Sequence, residues 1–378
     1  MITWCIPSKS NLRYLKPCIE SIIQNQFYKN TNKIIVFIDE DKDYTLEWLK
    51  QVKHDNVSWI VNTEKQPKGI GFAYDEMFKQ STTDYVIAFH ADMLLGPSAD
   101  YYMLKLKTDN NIVCATRVEP PIHPKGQEKI VMNFGLWPED IDLNKFNEFV
   151  LKNMDSKKIT KSIFAPWLIN KKQHLGHDPR FKSVFEDADL FRRFKLAGYD
   201  LIQSWEAMVY HLTCRGGQFA GATKEEDFQY KDIEWQYNND YSAKEYIRKW
   251  GGFIKHSDTL EPIPNKKYDV GVHLLNTEGV VQYVADCEPF FNNIKLDCEA
   301  YLFDEAKSKL VSELTNDIIV TINVKKVSES LLQFYLGLAD IIEFGTDDEQ
   351  AMYEFNKAIV IKVNKKQVKN PEINLWKI

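Results

Sequence analysis

Two polar side chains close the apolar run Asp84-Tyr85-Val86-Ile87-Ala88-Phe89-His90-Ala91-Asp92, and both are of types that hold divalent cations. A β-branched and aromatic run of this length reads as a buried strand of a parallel sheet. His90 and Asp92 then stand at its C-terminal end, where open α/β sheets place their ligands. A carboxylate there suits a metal and the phosphates a metal carries, although a strand ending in a polar turn is equally ordinary architecture. A second acidic group, Glu186-Asp187-Ala188-Asp189, opens a helical pattern. Carboxylates in that position either act as acid and base or simply favour the positive end of the helix dipole. His211 closes another apolar strand pattern, Ala207-Met208-Val209-Tyr210.

The elements that must position these groups alternate along the first third of the chain. Strands are predicted at residues 2–7, 33–39, 57–62 and 84–89, and helices at 12–25, 44–53 and from Gly69 to about Gln80. Strands separated by helices require right-handed βαβ units and a parallel sheet. That topology brings Pro7, Asp39, the loop after Asn62 and Asp92 to one sheet edge. Further on, a strand at 112–117 leads into the Pro-rich passage 119–124, which cannot be a sheet interior. Residues 140–158 read as a polar, helical excursion or lid, 162–170 as a strand carrying Pro166 and Trp167, and 185–197 as a helix ended by Gly198. After the strand at 207–211 the chain is charged, aromatic and helical to about Ile254. Strand and helix patterns resume with strands at 268–275, about 300–303, 317–324 and 358–363, and helices within 279–292, 305–314 and 329–339. The expected organisation is a catalytic α/β domain over 1–225, a helical linker over 226–264 and a small α/β module over 265–378. That module carries no nucleotide loop and no metal-ligand spacing, so packing, acceptor recognition or oligomerisation is its default role.

With 378 residues, 44% apolar and 27% charged, the composition is that of a globular protein with room for two cores. A net charge of −6 argues against a general nucleic-acid binder. No apolar run approaches the ~20 residues of a membrane span. The chain opens directly on a strand pattern without a secretory leader, and its six cysteines are scattered singly, so a cytoplasmic protein with buried thiols is expected.

The most specific signal is His174-Leu175-Gly176-His177-Asp178-Pro179-Arg180-Phe181-Lys182-Ser183-Val184-Phe185-Glu186-Asp187-Ala188-Asp189-Leu190, continuing through Arg193 and Ala197-Gly198-Tyr199. It resembles, position for position, the segment of family 2 glycosyltransferases in which a Gly and Asp-x-x-Phe precede a Glu-Asp-x-Asp-Leu helix ending in Ala-Gly-Tyr. Ile6-Pro7-Ser8 with the helix after it, Ile34–Asp39, and Lys68-Gly69-Ile70-Gly71-Phe72-Ala73 are similar to the same family's opening elements, with Tyr74-Asp75 where Arg-Asn is customary. The resemblance covers about residues 1–220. It implies a GT-A fold, a nucleoside-diphosphate-sugar donor, a divalent metal and inverting transfer to a hydroxyl of a glycan or other acceptor.

Carried over residue by residue, the resemblance makes Asp92 the metal-binding last Asp of the family's Asp-x-Asp and His211 a second metal ligand. His90 stands where the first Asp is usual, and a second imidazole tilts such a site toward Mn²⁺ over Mg²⁺. Asp187 matches the general base, with Glu186 as runner-up. Pro7, Ser8, Asp39, Gly69, Gly71 and Ala91 line the donor pocket. Arg215 is either a diphosphate contact or a surface arginine, and Trp167 either stacks on a sugar or belongs to the core. His174 and His177 are read as structural. The alternative reading is a catalytically inactive relative that binds carbohydrate or nucleotide, or serves a structural role.

Overall fold

A computed structural model describes residues 1–263, apart from 124, 214, 216 and 259, together with 270–274, 289, 293–296 and 375–377. Its first seven elements follow the predicted alternation: β1 (Ile2–Lys9), α1 (Leu12–Asn25), β2 (Lys33–Glu40), α2 (Thr45–Gln51), β3 (Val57–Val61), α3 (Ile70–Gln80) and β4 (Tyr85–Ala88). β1 pairs in parallel with both β2 and β4, Cys5 facing Ile35 on one side and Ala88 on the other. β3 adds in parallel to the far side of β2. This register aligns the C-terminal ends of three strands, so Pro7, Asp39 and the turn after Phe89 share one edge. β1 is buried on both faces, as a parallel strand covered by helices must be.

The second half mixes directions. β5 (Met93–Leu95), α4 (Ala99–Leu106), β6 (Asn111–Glu119), β7 (Lys129–Val131), α5 (Leu143–Asn153), β8 (Ile159–Thr160), β9 (Trp167–Asn170), α6 (Glu186–Leu196) and β10 (Asp200–His211) complete a sheet of order β3-β2-β1-β4-β9-β6-β10-β5. β9 runs antiparallel to β4 and β6, β5 antiparallel to β10, and β6 parallel to β10. Pro166 has no amide hydrogen to donate, and the strand expected from residue 162 begins only after it. The polar stretch around 140–158 holds α5, capped by Asp142, whose carboxylate accepts the Lys145 N–H at 3.0 Å. The core gathers Trp4, Phe37, Phe89, Trp167, Phe191 and Phe194, all buried. Each contributes about 1.5–3 kcal/mol by leaving water.

The helical stretch beyond residue 225 includes α7 (Ile233–Trp250). The chain divides into one compact unit of Met1–Ser242 with His256–Ile263, and a second of Ala243–Lys255 with Pro264–Ile378. In the second unit β11 (Val270–Leu274), β12 (Asn293–Leu296) and β13 (Leu375–Lys377) form a sheet of order β12-β11-β13. The helix within 279–292 and the elements expected over 300–363 lie outside the described residues, save residue 289. Among the described residues no helix is long and apolar enough to cross a membrane.

One backbone contact joins the two halves of the first unit. Gly69, at φ +93°, donates its N–H to Asp39 Oδ2 at 2.8 Å, and the next amide, Ile70, donates to the Lys182 carbonyl at 2.6 Å. A Cβ at Gly69 would collide with that same Lys182 oxygen. Gly69→Ala therefore combines a clash with a left-handed φ that costs an L-residue about 1–2 kcal/mol. The expected result is a loss of about 2 kcal/mol or more of unfolding free energy, read as a lower urea midpoint with an unchanged slope.

Candidate active site

Chain pairing assembles the first cluster. The turn after β4 is closed by the Met93 N–H on the His90 carbonyl at 3.2 Å, and β5 then runs against β10 with Met93 opposite His211. The Leu212 N–H donates to the Asp92 carbonyl at 2.9 Å. Asp92 and His211 are thus fixed by backbone before their side chains meet. His211 Nε2 lies 3.6 Å from Asp92 Oδ1, and the His90 and His211 rings are 6.0 Å apart. One ligand atom from each of His90, Asp92 and His211 falls within 4.8 Å of the others. Asp92 and His211 are buried and His90 half-buried.

Glu119 orients the cluster and was not among the sequence candidates. Parallel pairing sets Val118 beside Tyr210, so Glu119 ends its strand next to His211 and accepts from His211 Nδ1 at 2.8 Å. Lys129 Nζ lies 2.8 Å and Arg117 Nη1 3.5 Å from the same carboxylate. Burial works against its ionisation, but the His211 hydrogen bond and the surrounding positive charges outweigh it and hold Glu119 well below the usual carboxyl range. An ionised carboxylate only accepts, so Nδ1 carries the proton and Nε2 is the nitrogen turned to Asp92. For His90, burial lowers the pKa to about 4, with His211 and Arg117 adding to the shift and Asp92 opposing it. His90 is therefore neutral at physiological pH, with a lone pair to offer. One carboxylate and two imidazoles make a donor set that fits a divalent metal.

The second cluster sits where α6 begins. Phe185 precedes it at φ +71°, a conformation rare for a bulky residue and one that the surrounding structure must enforce. Glu186 is 9% exposed and its Oε2 is buried without a hydrogen-bond partner. Asp187, half-buried, accepts the Ala188 N–H at 2.6 Å. Burial raises both carboxyls, and the Asp187 charge raises Glu186 further, whereas backbone N–H donation and Arg117 favour ionised Asp187. The pair accordingly divides its charge, Glu186 keeping a proton and Asp187 forming the better anion. Asp189 belongs to the framework: it is fully buried and pairs with Arg193 at 2.8 Å. Tyr74, whose hydroxyl donates to the Phe89 carbonyl at 3.2 Å, is raised well above its ordinary pKa by burial and then by Glu186, Cys5, Asp92 and Asp187.

The remaining sequence candidates divide. Asp39 is occupied by the protein itself, accepting from Lys68 N at 2.7 Å, Gly69 N at 2.8 Å and Asn62 Nδ2 at 3.0 Å, so it clamps the glycine turn. Ser8 is buried and donates to Asn11 Oδ1 at 2.6 Å, beside half-buried Pro7. Gly71 leaves room for His177, whose Cβ would lie 2.8 Å from an added one, and Ala91 is buried between His90 and Asp92. Trp167 is the correction. Its ring is buried among Tyr74, Phe78, His177, Phe191 and Phe194, so it is a core residue with no face for a sugar. Arg215 is not a surface arginine either. It is buried with its guanidinium 4.1 Å from the Phe228 ring centre and 5.0 Å from that of Trp137, donating to the Leu136 carbonyl at 2.9 Å. Tyr14, also missed from sequence, feels the charges of both Arg215 and Asp92.

Residues 3–174 match the model of the family described as Glycosyl transferase family 2. Similar solved structures include GalNAc-T7 with UDP, GalNAc and Mn²⁺, at 11% identity and TM-score 0.42, covering 56% of this chain and 43% of that one. Another is S. aureus TarS 1-349 in complex with UDP, at 11% identity and TM-score 0.41, covering 66% and 71%. S. aureus TarS without that truncation gives 12% identity and TM-score 0.42, covering 67% and 44%. The chain thus spans less than half of GalNAc-T7 and of the longer TarS. Residues 3–174 of the chain thus resemble glycosyl transferase family 2.

Proposed function

We propose that the chain is a metal-dependent, inverting glycosyltransferase that moves a sugar from a nucleoside-diphosphate sugar to a hydroxyl of a glycan or other acceptor. The observation that supports this reading is that the unit whose residues 3–174 match the family 2 model holds both the His90, Asp92 and His211 donor set and the buried Glu186–Asp187 pair. A divalent ion held by those three side chains would offset the charge of the departing diphosphate, and their two nitrogens favour Mn²⁺ over Mg²⁺. Asp187, the better anion of its pair, takes the acceptor hydroxyl's proton as that oxygen attacks the face opposite the leaving group. Glu186, protonated, keeps a second negative charge out of the same pocket. Ser8 and the Asp39-clamped turn at Gly69 shape the donor side, and Arg215 is the cation offered to the diphosphate. A cytoplasmic setting agrees with single, buried thiols at Cys5, Cys18 and Cys114.

Asp187→Asn tests the base directly. Sugar transfer should fall about 10²–10⁴-fold while calorimetric donor affinity changes little. Undiminished transfer with intact donor binding would remove Asp187 from the mechanism. Turnover should be supported by Mn²⁺ better than by Mg²⁺ and be lost in excess chelator. Equal rates in all three conditions would overturn the metal dependence. Glu119→Gln should weaken Mn²⁺ binding, read by calorimetry, about 10–100-fold, because His211 then faces a neutral amide that can donate as well as accept and no longer fixes its tautomer.

The acid pair also fixes a stability profile. With Glu186 raised in the folded state, the unfolded chain releases that proton first, so stability declines as pH climbs above the ordinary carboxyl range and levels off once folded Glu186 ionises. Glu186→Gln removes this slope. The variant should gain stability relative to the parent as pH is raised from 5 toward 8, as read from urea midpoints, and a constant difference across that range would contradict the shared-charge picture.

A further inference from the structure

A second convergent ligand group lies on α3 and on the loop leading to α6, and it shares no residue with the first. His174 Nε2 and His177 Nδ1 both lie 2.6 Å from one oxygen of Asp75, Oδ1. One ligand atom from each of the three residues falls within 4.8 Å of the others. The second oxygen, Oδ2, takes the His177 backbone N–H at 3.0 Å. Both contacts are hydrogen bonds to one oxygen, and they gather two imidazole nitrogens and a carboxylate within reach of a common ion.

Both rings are held in place by packing. His177 stacks on Tyr74 with ring centres 5.8 Å apart, in space that only a glycine at position 71 leaves open. His174 meets Phe78 edge-on at 4.9 Å. The other nitrogen of His174, Nδ1, is buried without a hydrogen-bond partner, while Nε2 donates to the Asp75 carboxylate. An ion taking Nε2 as a ligand would move that proton to Nδ1. The Asp75 side chain is 33% exposed, which leaves an entry path and a position for water. Two imidazoles, one carboxylate and an open fourth position form a donor set for zinc-class ions and a poor one for Mg²⁺.

We propose that Asp75, His174 and His177 form a transition-metal site of the Zn²⁺ class, distinct from His90, Asp92 and His211, that pins the middle of α3 to the loop ahead of Glu186 and Asp187. Its ligands come from the glycine-turn helix and from the segment entering the acid pair, so an ion there would tie the donor side to the base side. The site stands independently of the reading given to the other cluster.

The test uses the full chain with the other cluster disabled by Asp92→Asn and His211→Asn, stripped with chelator and titrated with Zn²⁺ and Co²⁺. One ion per chain should still bind, with a four-coordinate Co²⁺ visible spectrum and a raised melting temperature in Zn²⁺. Adding Asp75→Asn or His174→Gln should cut Zn²⁺ affinity at least about 10-fold and remove the thermal shift. Should the disabled background fail to fold, His174→Gln in the otherwise unaltered chain should lower bound Zn²⁺ by one ion. Absence of Zn²⁺ binding in a folded background, or affinity and stoichiometry indifferent to Asp75 and His174, would overturn the site and leave Asp75 as a hydrogen-bonded clip. The readout is stoichiometry and spectrum, so loss of sugar transfer bears on neither result.

Discussion

Glu119 carries a negative charge at 2% exposure, and the geometry around His211 depends on how that charge is met. Removing water from a carboxylate costs several kcal/mol unless opposite charge and hydrogen bonds replace it. Three elements supply them: His211 from β10, Arg117 from the same strand β6, and Lys129 from β7, a strand of three residues whose register sets Lys129 beside Arg117. The short β7 thus delivers a cation as much as it extends a sheet. Breaking a buried pair of this kind costs about 3–5 kcal/mol, because the partner is left charged and dry. The same contacts decide which nitrogen of His211 faces Asp92. Stability of the β6–β10 edge and the arrangement of the candidate metal ligands are therefore one constraint.

Backbone strain gathers near these side chains. Ser10 follows the Pro7-Ser8 strand end at φ +48°, Thr213 lies two residues after His211 at φ +39°, and Phe185 immediately precedes Glu186. Such conformations cost about 1–3 kcal/mol each and persist where tethers over-determine them. Ser10 N–H is bonded to the Glu40 carbonyl at 2.9 Å, Thr213 Oγ1 lies 3.3 Å from the His211 carbonyl, and the Phe185 carbonyl accepts the Asp189 N–H at 3.0 Å. Tyr44 and Ser98 show the same sign of φ at the starts of α2 and α4, away from either cluster. Strain alone thus does not mark a site. Its meaning comes from what it aims, and at Phe185 it turns the chain so that Glu186 enters the interior while Asp187 keeps a backbone donor.

β1, β2 and β4 were legible because strands buried on both faces read as unbroken apolar runs, and the ends of these strands and of the edge strand β3 fell within two residues of the predicted ones. His90, Asp92, Glu186, Asp187 and His211 were legible for a related reason: each is a polar residue closing or opening such a run. What escaped was set by partners remote in sequence. Glu119 sits at the start of a Pro-rich passage, and only the pairing of β6 with β10 makes it a neighbour of His211. Asp39 looked available to a ligand until Asn62 and the amides of Lys68 and Gly69 were found on its oxygens. Trp167 follows a proline as a stacking residue might, but α3 and α6 close aromatic rings around it. Arg215 lies in a glycine-rich stretch that suggests exposure, and Trp137 and Phe228 enclose it instead.

His90 alters the charge of the site as well as its ligands. With a carboxylate in its place, a divalent ion held there would be matched by two negative charges and would present none to an incoming anion. With His90 neutral, Asp92 is the single direct carboxylate, because Glu119 lies behind His211 and is already balanced by Arg117 and Lys129. On the proposed reading an ion in this site keeps about one net positive charge toward the diphosphate, in a buried pocket where Coulomb interactions are several-fold stronger than in water. The weaker hold on the ion that comes with losing a carboxylate is offset by nitrogen donors that transition metals prefer. The imidazole is therefore consistent with a metal centre retuned toward softer ions and greater residual charge, and it requires burial to stay neutral.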